Sequence, residues 1–161
     1  MPAAKTPNWG EGSHFANPGF YSGDTAGWNA RGNVSVKHND RGNFHLEFGK
    51  AQSQISQVLN LPAGDHSLWA WVQIDPTKTR PVGLAVDGTG VTPIDHQKGC
   101  GGHAESVITS TTAINATASD EYFGTYHQRL RVAFHSDGRP VTVTLKAVSY
   151  THLRAHETSL H

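Results

Sequence analysis

The sequence predicts an all-β domain, a jelly-roll β-sandwich, on three observations. Apolar and polar residues alternate in several short runs, the period-of-two pattern of half-buried strands. The 17 glycines and 8 prolines of the chain cluster between those runs as turn signals. No stretch carries helical periodicity for more than a turn or two. At 161 residues the chain has the length of one domain with a real core.

The elements follow in order. Residues 1–16 are polar, with Pro and Gly, and read as a lead-in from a preceding domain. The sandwich is expected over residues 17–147. Asn17-Pro18-Gly19-Phe20, Ser22-Gly23-Asp24 and Ala26-Gly27-Trp28 are successive breakers, with Phe20 and Trp28 as the apolar anchors that pin them. Val34 and Val36 begin a strand, and Asn39-Asp40-Arg41-Gly42 turns it into the next. There Phe44, Leu46 and Phe48 alternate with His45 and Glu47.

The most ordered pattern runs from Gln54 to Ile74. Two apolar-rich runs flank Leu61-Pro62-Ala63-Gly64-Asp65 and read as a hairpin, with Pro62 and Gly64 at the second and fourth positions of a type I turn. After the turn, Leu68, Ala70, Val72 and Ile74 alternate with Ser67, Trp69, Trp71 and Gln73. Asp75 to Pro81 holds two prolines and reads as a loop. Val82, Leu84 and Val86 make a strand. Residues 87–106 are Gly-rich and read as irregular, and Val107 to Ala113 reads as a strand. Tyr126 to Phe134 puts Leu130, Val132 and Phe134 inward and Arg129, Arg131 and His135 outward. Val141, Val143 and Leu145 mark the last clear strand. The total is about seven or eight strands, at the spacing of a sandwich.

Composition excludes several classes. Thirteen basic residues balance thirteen acidic ones, so nothing points to a nucleic acid or an anionic membrane. No run reaches transmembrane length. The single cysteine, Cys100, excludes an intrachain disulfide framework. Residues Val148 to Thr158 resemble one reading frame of a transposon-based DNA sequencing adapter. Residues 148–161 are therefore expected to be a non-native tail on a metagenomic fragment, outside the fold.

Three segments carry a family resemblance. They are Trp9-Gly10-Glu11-Gly12-Ser13-His14 with Asn17 to Asp24 and Trp28, then Ile55-Ser56-Gln57 through Leu61-Pro62-Ala63-Gly64 to Leu68-Trp69-Ala70-Trp71-Val72, and Asp120 to Val132. Together they resemble the galactose-binding-like domain of endo-α-N-acetylgalactosaminidases, which release the core disaccharide of mucin-type O-glycans. The resemblance covers roughly residues 9–147. It implies a non-catalytic accessory domain of an extracellular or cell-surface bacterial enzyme, since the family's catalytic barrel is absent from the chain. The implied partners are galactose- or N-acetylgalactosamine-containing glycans and the neighbouring domains of the parent enzyme. The alternative is a structural module that packs on the barrel and binds no sugar. The Gly99-Cys100-Gly101-Gly102 loop departs from the pattern.

The candidate ligand-binding residues are Trp69, Trp71, His127, Arg129 and Arg131. A pyranose packs its C–H face on an indole, and the basic side chains offer hydrogen bonds to hydroxyls or a carboxylate. The competing reading is that both tryptophans are covered by a sheet, a loop or another domain. The resemblance also implies a structural calcium near the first loop, with Asp24 and the carbonyls around Asn17 as hard oxygen ligands. Alternatively, Asp24 only closes its turn. His96, Cys100 and His103 have the spacing of a metal corner but lack a fourth ligand. No carboxylate pair of the kind glycoside hydrolysis needs stands out.

Overall fold

The computed structural model describes residues 14–38, 44–49, 52–74, 81–109, 127–147 and 153–160. These residues form twelve strands. They are β1 (Asn29–Arg31), β2 (Val34–His38), β3 (Phe44–Phe48), β4 (Gln54–Leu59), β5 (Gly64–Ile74) and β6 (Val82–Asp87). The second half gives β7 (Val91–Pro93), β8 (Lys98–Cys100), β9 (His103–Ile108), β10 (His127–Ser136), β11 (Val141–Ala147) and β12 (Leu153–Leu160). Two six-stranded sheets result, the first in the order β1-β4-β11-β6-β9-β8 and the second in the order β2-β3-β12-β5-β10-β7.

The alternation read from the sequence builds the core between the sheets. The first sheet contributes Ile55, Leu59, Val82, Leu84, Val86, Val141, Val143 and Leu145. The second contributes Leu46, Phe48, Leu68, Ala70, Val72, Ile74, Leu130, Val132 and Phe134. All are buried, and each large side chain among them stabilises the fold by about 1.5–3 kcal/mol relative to leaving it in water.

The expected hairpin from Gln54 to Ile74 is not one. β4 pairs with β1 and β11 in the first sheet, whereas β5 pairs with β10 and β12 in the second. The Leu61-to-Ala63 corner therefore carries the chain across the sandwich. A period of two gives each run one apolar face in either arrangement. Crossing the sandwich lets the two faces oppose each other through the core.

The stretch 87–106, expected to be irregular, holds β7, β8 and the start of β9. Only Ala104 of β9 is buried, so no apolar alternation marks it. Cys100 pairs with His103, which makes Gly101-Gly102 a two-residue hairpin turn. Gly102 takes φ +92° there, the left-handed backbone that such turns require. β1 was also missed, because all three of its residues are exposed.

The fold also reaches beyond the expected limits of 17 and 147. Phe15, assigned to the lead-in, is buried and stacks on Trp28 at 5.4 Å and 18°. Ala16 exchanges two hydrogen bonds with the buried Gln57 side chain, at 2.7 and 3.1 Å. Within the tail that was expected to lie outside the fold, Leu153–Leu160 is β12. It lies antiparallel between β3 and β5. A ladder is made of main-chain groups, so a gap between strands accepts an extended segment with little regard for its sequence. The Asn39-to-Gly42 turn, the Asp75-to-Arg80 part of the loop, and Ser110 to Tyr126 lie outside the described residues.

Candidate functional site

The expected sugar platform sits on the outer face of the second sheet. Leu68, Ala70 and Val72 of β5 point into the core, so Trp69 and Trp71 point out. On β10, Leu130 and Val132 point inward, so Arg129 and Arg131 share the outer face. The antiparallel register sets Trp71 opposite Arg129 and Trp69 opposite Arg131. The structure thus brings four of the five expected residues together. His127 opens β10 opposite Gln73, in phase with the two arginines; its side chain lies outside the described residues.

The tryptophans are half-buried and the arginines exposed. The Arg129 guanidinium carbon lies 3.7 Å from the centre of the Trp69 ring. This diagonal cation–π contact covers one face of that indole. On the far side of β5, β12 sets Glu157 beside Trp71 and Ser159 beside Trp69 in register. The platform is therefore a half-buried aromatic strip with arginines beside it, intermediate between an open aromatic face and a second core.

The expected calcium residues lie in the loop that Trp28 pins. Asn17 adopts φ +50°, a left-handed conformation that asparagine tolerates better than most residues. Its carbonyl accepts a hydrogen bond from Trp28 Nε1 at 2.9 Å. Its side-chain amide donates to the carbonyls of Asp24 and Ala26, at 3.1 and 2.9 Å. Asp24 accepts from Ser22 Oγ at 2.7 Å and from the Ala26 amide at 3.0 Å. These bonds, that of Ser22 first, hold the Asp24 carboxyl below its ordinary range. Two carbonyls thus converge on one point beside an ionised carboxylate, and the Asn17 amide fills that point. The donor chemistry fits a hard cation.

One cluster had no place in the sequence reading. His103 lies between two carboxylates, with Nδ1 2.6 Å from Asp87 Oδ1 and Nε2 3.0 Å from Glu105 Oε1. Glu105 first, and Asp87 next, raise the His103 pKa, and His103 in turn lowers that of Glu105. The acids are thus close, but the lowered Glu105 is the opposite of a general acid, whose carboxyl must hold its proton near neutral pH. His103 is also no metal corner with His96 and Cys100, because both its ring nitrogens face carboxylates. Among the described residues, no group of three such side chains is placed to hold a metal. The pairing of β6 with β9 sets Asp87 opposite His103, and the spacing of those residues along the chain gives no hint of it.

Comparison with known proteins agrees with the resemblance. The chain is 38% identical over 127 residues, 78% of its length, to a protein of Renibacterium salmoninarum provisionally named endo-alpha-N-acetylgalactosaminidase. It spans only 7% of the length of that relative. No family model matches the chain. Among solved structures it is similar to TmCBM61 in complex with beta-1,4-galactotriose, with a TM-score of 0.54 at 17% identity over 92% of this chain and 97% of that one. It is also similar to the CBM22-1-GH10 modules of Clostridium thermocellum xylanase 10B in complex with xylohexaose, with a TM-score of 0.56 at 10% identity over 92% of this chain and 28% of that one. At such identities the structural likeness carries the fold alone: this chain is a jelly-roll β-sandwich.

Proposed function

We propose that this chain is a non-catalytic accessory domain that binds glycans containing galactose or N-acetylgalactosamine. In this reading it serves a secreted endo-α-N-acetylgalactosaminidase acting on mucin-type O-glycans at or outside the cell surface. The observation that carries the proposal is the cross-strand grouping of Trp69, Trp71, Arg129 and Arg131 on one outer face. The 38% identity to an enzyme-named relative supports the parent activity. A sugar ring would pack its C–H face on the indoles, with the guanidinium groups and His127 reaching its hydroxyls. The test is calorimetry with galactosides and N-acetylgalactosaminides on the whole chain and on Trp69→Ala. Binding in the millimolar range that disappears in the variant is the expected result. Silence of the parent chain would sink the proposal.

A second reading has its own observation. Val58 and Val107 stand 56% and 44% exposed, both on the outer face of the first sheet. A structural module that packs on a neighbouring domain would cover them. A calcium ion in the first loop is a separable proposal. Asn17, the carbonyls of Asp24 and Ala26, and the Asp24 carboxylate would hold it, with the Asn17 amide turned to present its oxygen. Chelator should then lower the melting temperature, and Asp24→Ala should remove that sensitivity. Equal melting with and without chelator would dispose of the ion.

A further inference from the structure

The outer face of the first sheet carries a trough that the platform does not use. Its shape follows from register. Where β11, β6 and β9 lie side by side, their outward residues form three rows. These are Lys146–Gly83–Val107, Thr144–Ala85–Glu105 and Thr142–Asp87–His103. β4 extends the first row with Gln54. The middle strand contributes no side chain at Gly83 and one methyl group at Ala85. Both flanking strands contribute longer side chains, and they stand two interstrand spacings apart, about 9–10 Å. The result is an open depression of about 300 Å³ floored by β6.

The walls differ in chemistry. Lys146 and the Gln54 amide present N–H donors on one side, Glu105 presents a carboxylate acceptor on the other, and Asp87 of β6 presents a second where the floor ends. Thr144 does both. His103 links the two acids through both ring nitrogens, so their oxygens are already placed before a ligand arrives. Lys98 approaches Glu105 at 4.0 Å. Lys146 and Lys98 offset the two acids, and only a protonated His103 leaves a surplus charge, so the trough has no strong preference for an anion or a cation. Val107 offers a small apolar strip beside the floor. Among the described residues no aromatic ring lines the depression, so none of them offers a stacking surface there.

We propose that this trough is a second saccharide site, taking one neutral, multiply hydroxylated sugar ring by hydrogen bonds rather than by stacking. The ligand class rests in part on the sugar-binding reading above, but the residues are separate from the platform on the opposite sheet.

The test is a titration of the ¹⁵N-labelled whole chain with methyl β-galactoside, methyl α-N-acetylgalactosaminide and methyl β-glucoside, followed by amide shifts. At least one sugar should shift Gly83, Ala85, Glu105 and Thr144, and those shifts should survive Trp69→Ala. Ala85→Leu fills the floor and should weaken the response at least tenfold. Thr144→Val removes one hydroxyl and should weaken it severalfold. Thermal melts accompany both variants; if Ala85→Leu does not fold, Thr144→Val decides. A silent trough with a responding tryptophan face overturns this proposal alone. Silence on both faces overturns the sugar-binding reading with it. Trough shifts unchanged in both variants would mean that the sugar sits elsewhere.

Discussion

The two outer faces of the sandwich are built on the same core and end in opposite surfaces. On the second sheet, the central strand β5 projects two tryptophans, and its neighbour β10 lays a guanidinium over one of them. On the first sheet, the central strand β6 projects almost nothing at Gly83 and Ala85, and its neighbours project long polar chains. Bulk at the centre makes a surface that recognises by contact area. Absence of bulk makes one that recognises by placing donors and acceptors around a space. The inward residues that hold both faces are mostly apolar, with Gln57 of β4 an exception, so the difference lies in the outward half of each strand's alternation.

The comparison breaks most visibly from the inside. Phe134 is fully buried on β10, and Phe134→Ala should cost about 3–5 kcal/mol in a urea melt. Because Phe134 lies under the tryptophan-bearing sheet but in the shared core, this change should destabilise both faces alike. Trp69→Ala should cost much less, about 1 kcal/mol, because the ring is half-buried and its neighbours can relax. A loss near that of Phe134→Ala would show that the tryptophan face is a second core rather than a platform.

Arg129→Lys keeps the charge but loses the flat stacking surface, and should cost about 0.5–1 kcal/mol. If sugar binding rises in that variant, the guanidinium competes with the ligand for the indole; if it falls, the guanidinium is part of the binding surface.

The smallest effect concerns pH and the trough. The His103 pKa is raised, so its contribution to stability is complete below the ordinary histidine value of 6.5 and is lost as pH rises through the raised one. The Glu105 pKa is lowered, so its contribution is complete above the ordinary value of 4.5 and is lost as pH falls through the lowered one. The link is strongest between those two ordinary values. Since the group is partly exposed, melts across neutral pH should register about 0.5 kcal/mol or less, and His103→Gln should flatten that slope. A slope unchanged in the variant would place its origin in another group.

Much of the architecture was legible because alternation reports inward and outward directly. The inward sets Leu68 to Ile74, Val82 to Val86, Leu130 to Phe134 and Val141 to Leu145 were all readable, and with them the outward position of Trp69, Trp71, Arg129 and Arg131. Pairing was not readable. Nothing in Ile55 says that it lies beside Leu145, or in Arg129 that it lies beside Trp71. The hairpin error around Pro62 has that origin. The trough was hidden for a second reason. Gly83 and Ala85 register as unremarkable strand residues until the longer side chains on both flanks are known. Even so, two small outward residues in a strand as apolar as β6 were a visible signal.

The crossing at Leu61 to Ala63 has a consequence for the order in which the domain assembles. As the chain emerges during synthesis, β4 and β5 appear early and together, yet they do not pair with each other. The partners of β5 are β10 and β12, and those of β4 are β1 and β11. Of these only β1, with three exposed residues, precedes them. β4 and β5 therefore wait, with open edges, for β10 and β11, which begin only at His127 and Val141. Such non-local closure is intrinsically slow, and the interval exposes sticky edges to other chains. Truncation before Leu130 should thus yield an insoluble product rather than a smaller folded domain, and the yield of soluble chain should depend on how quickly β10 and β11 are made.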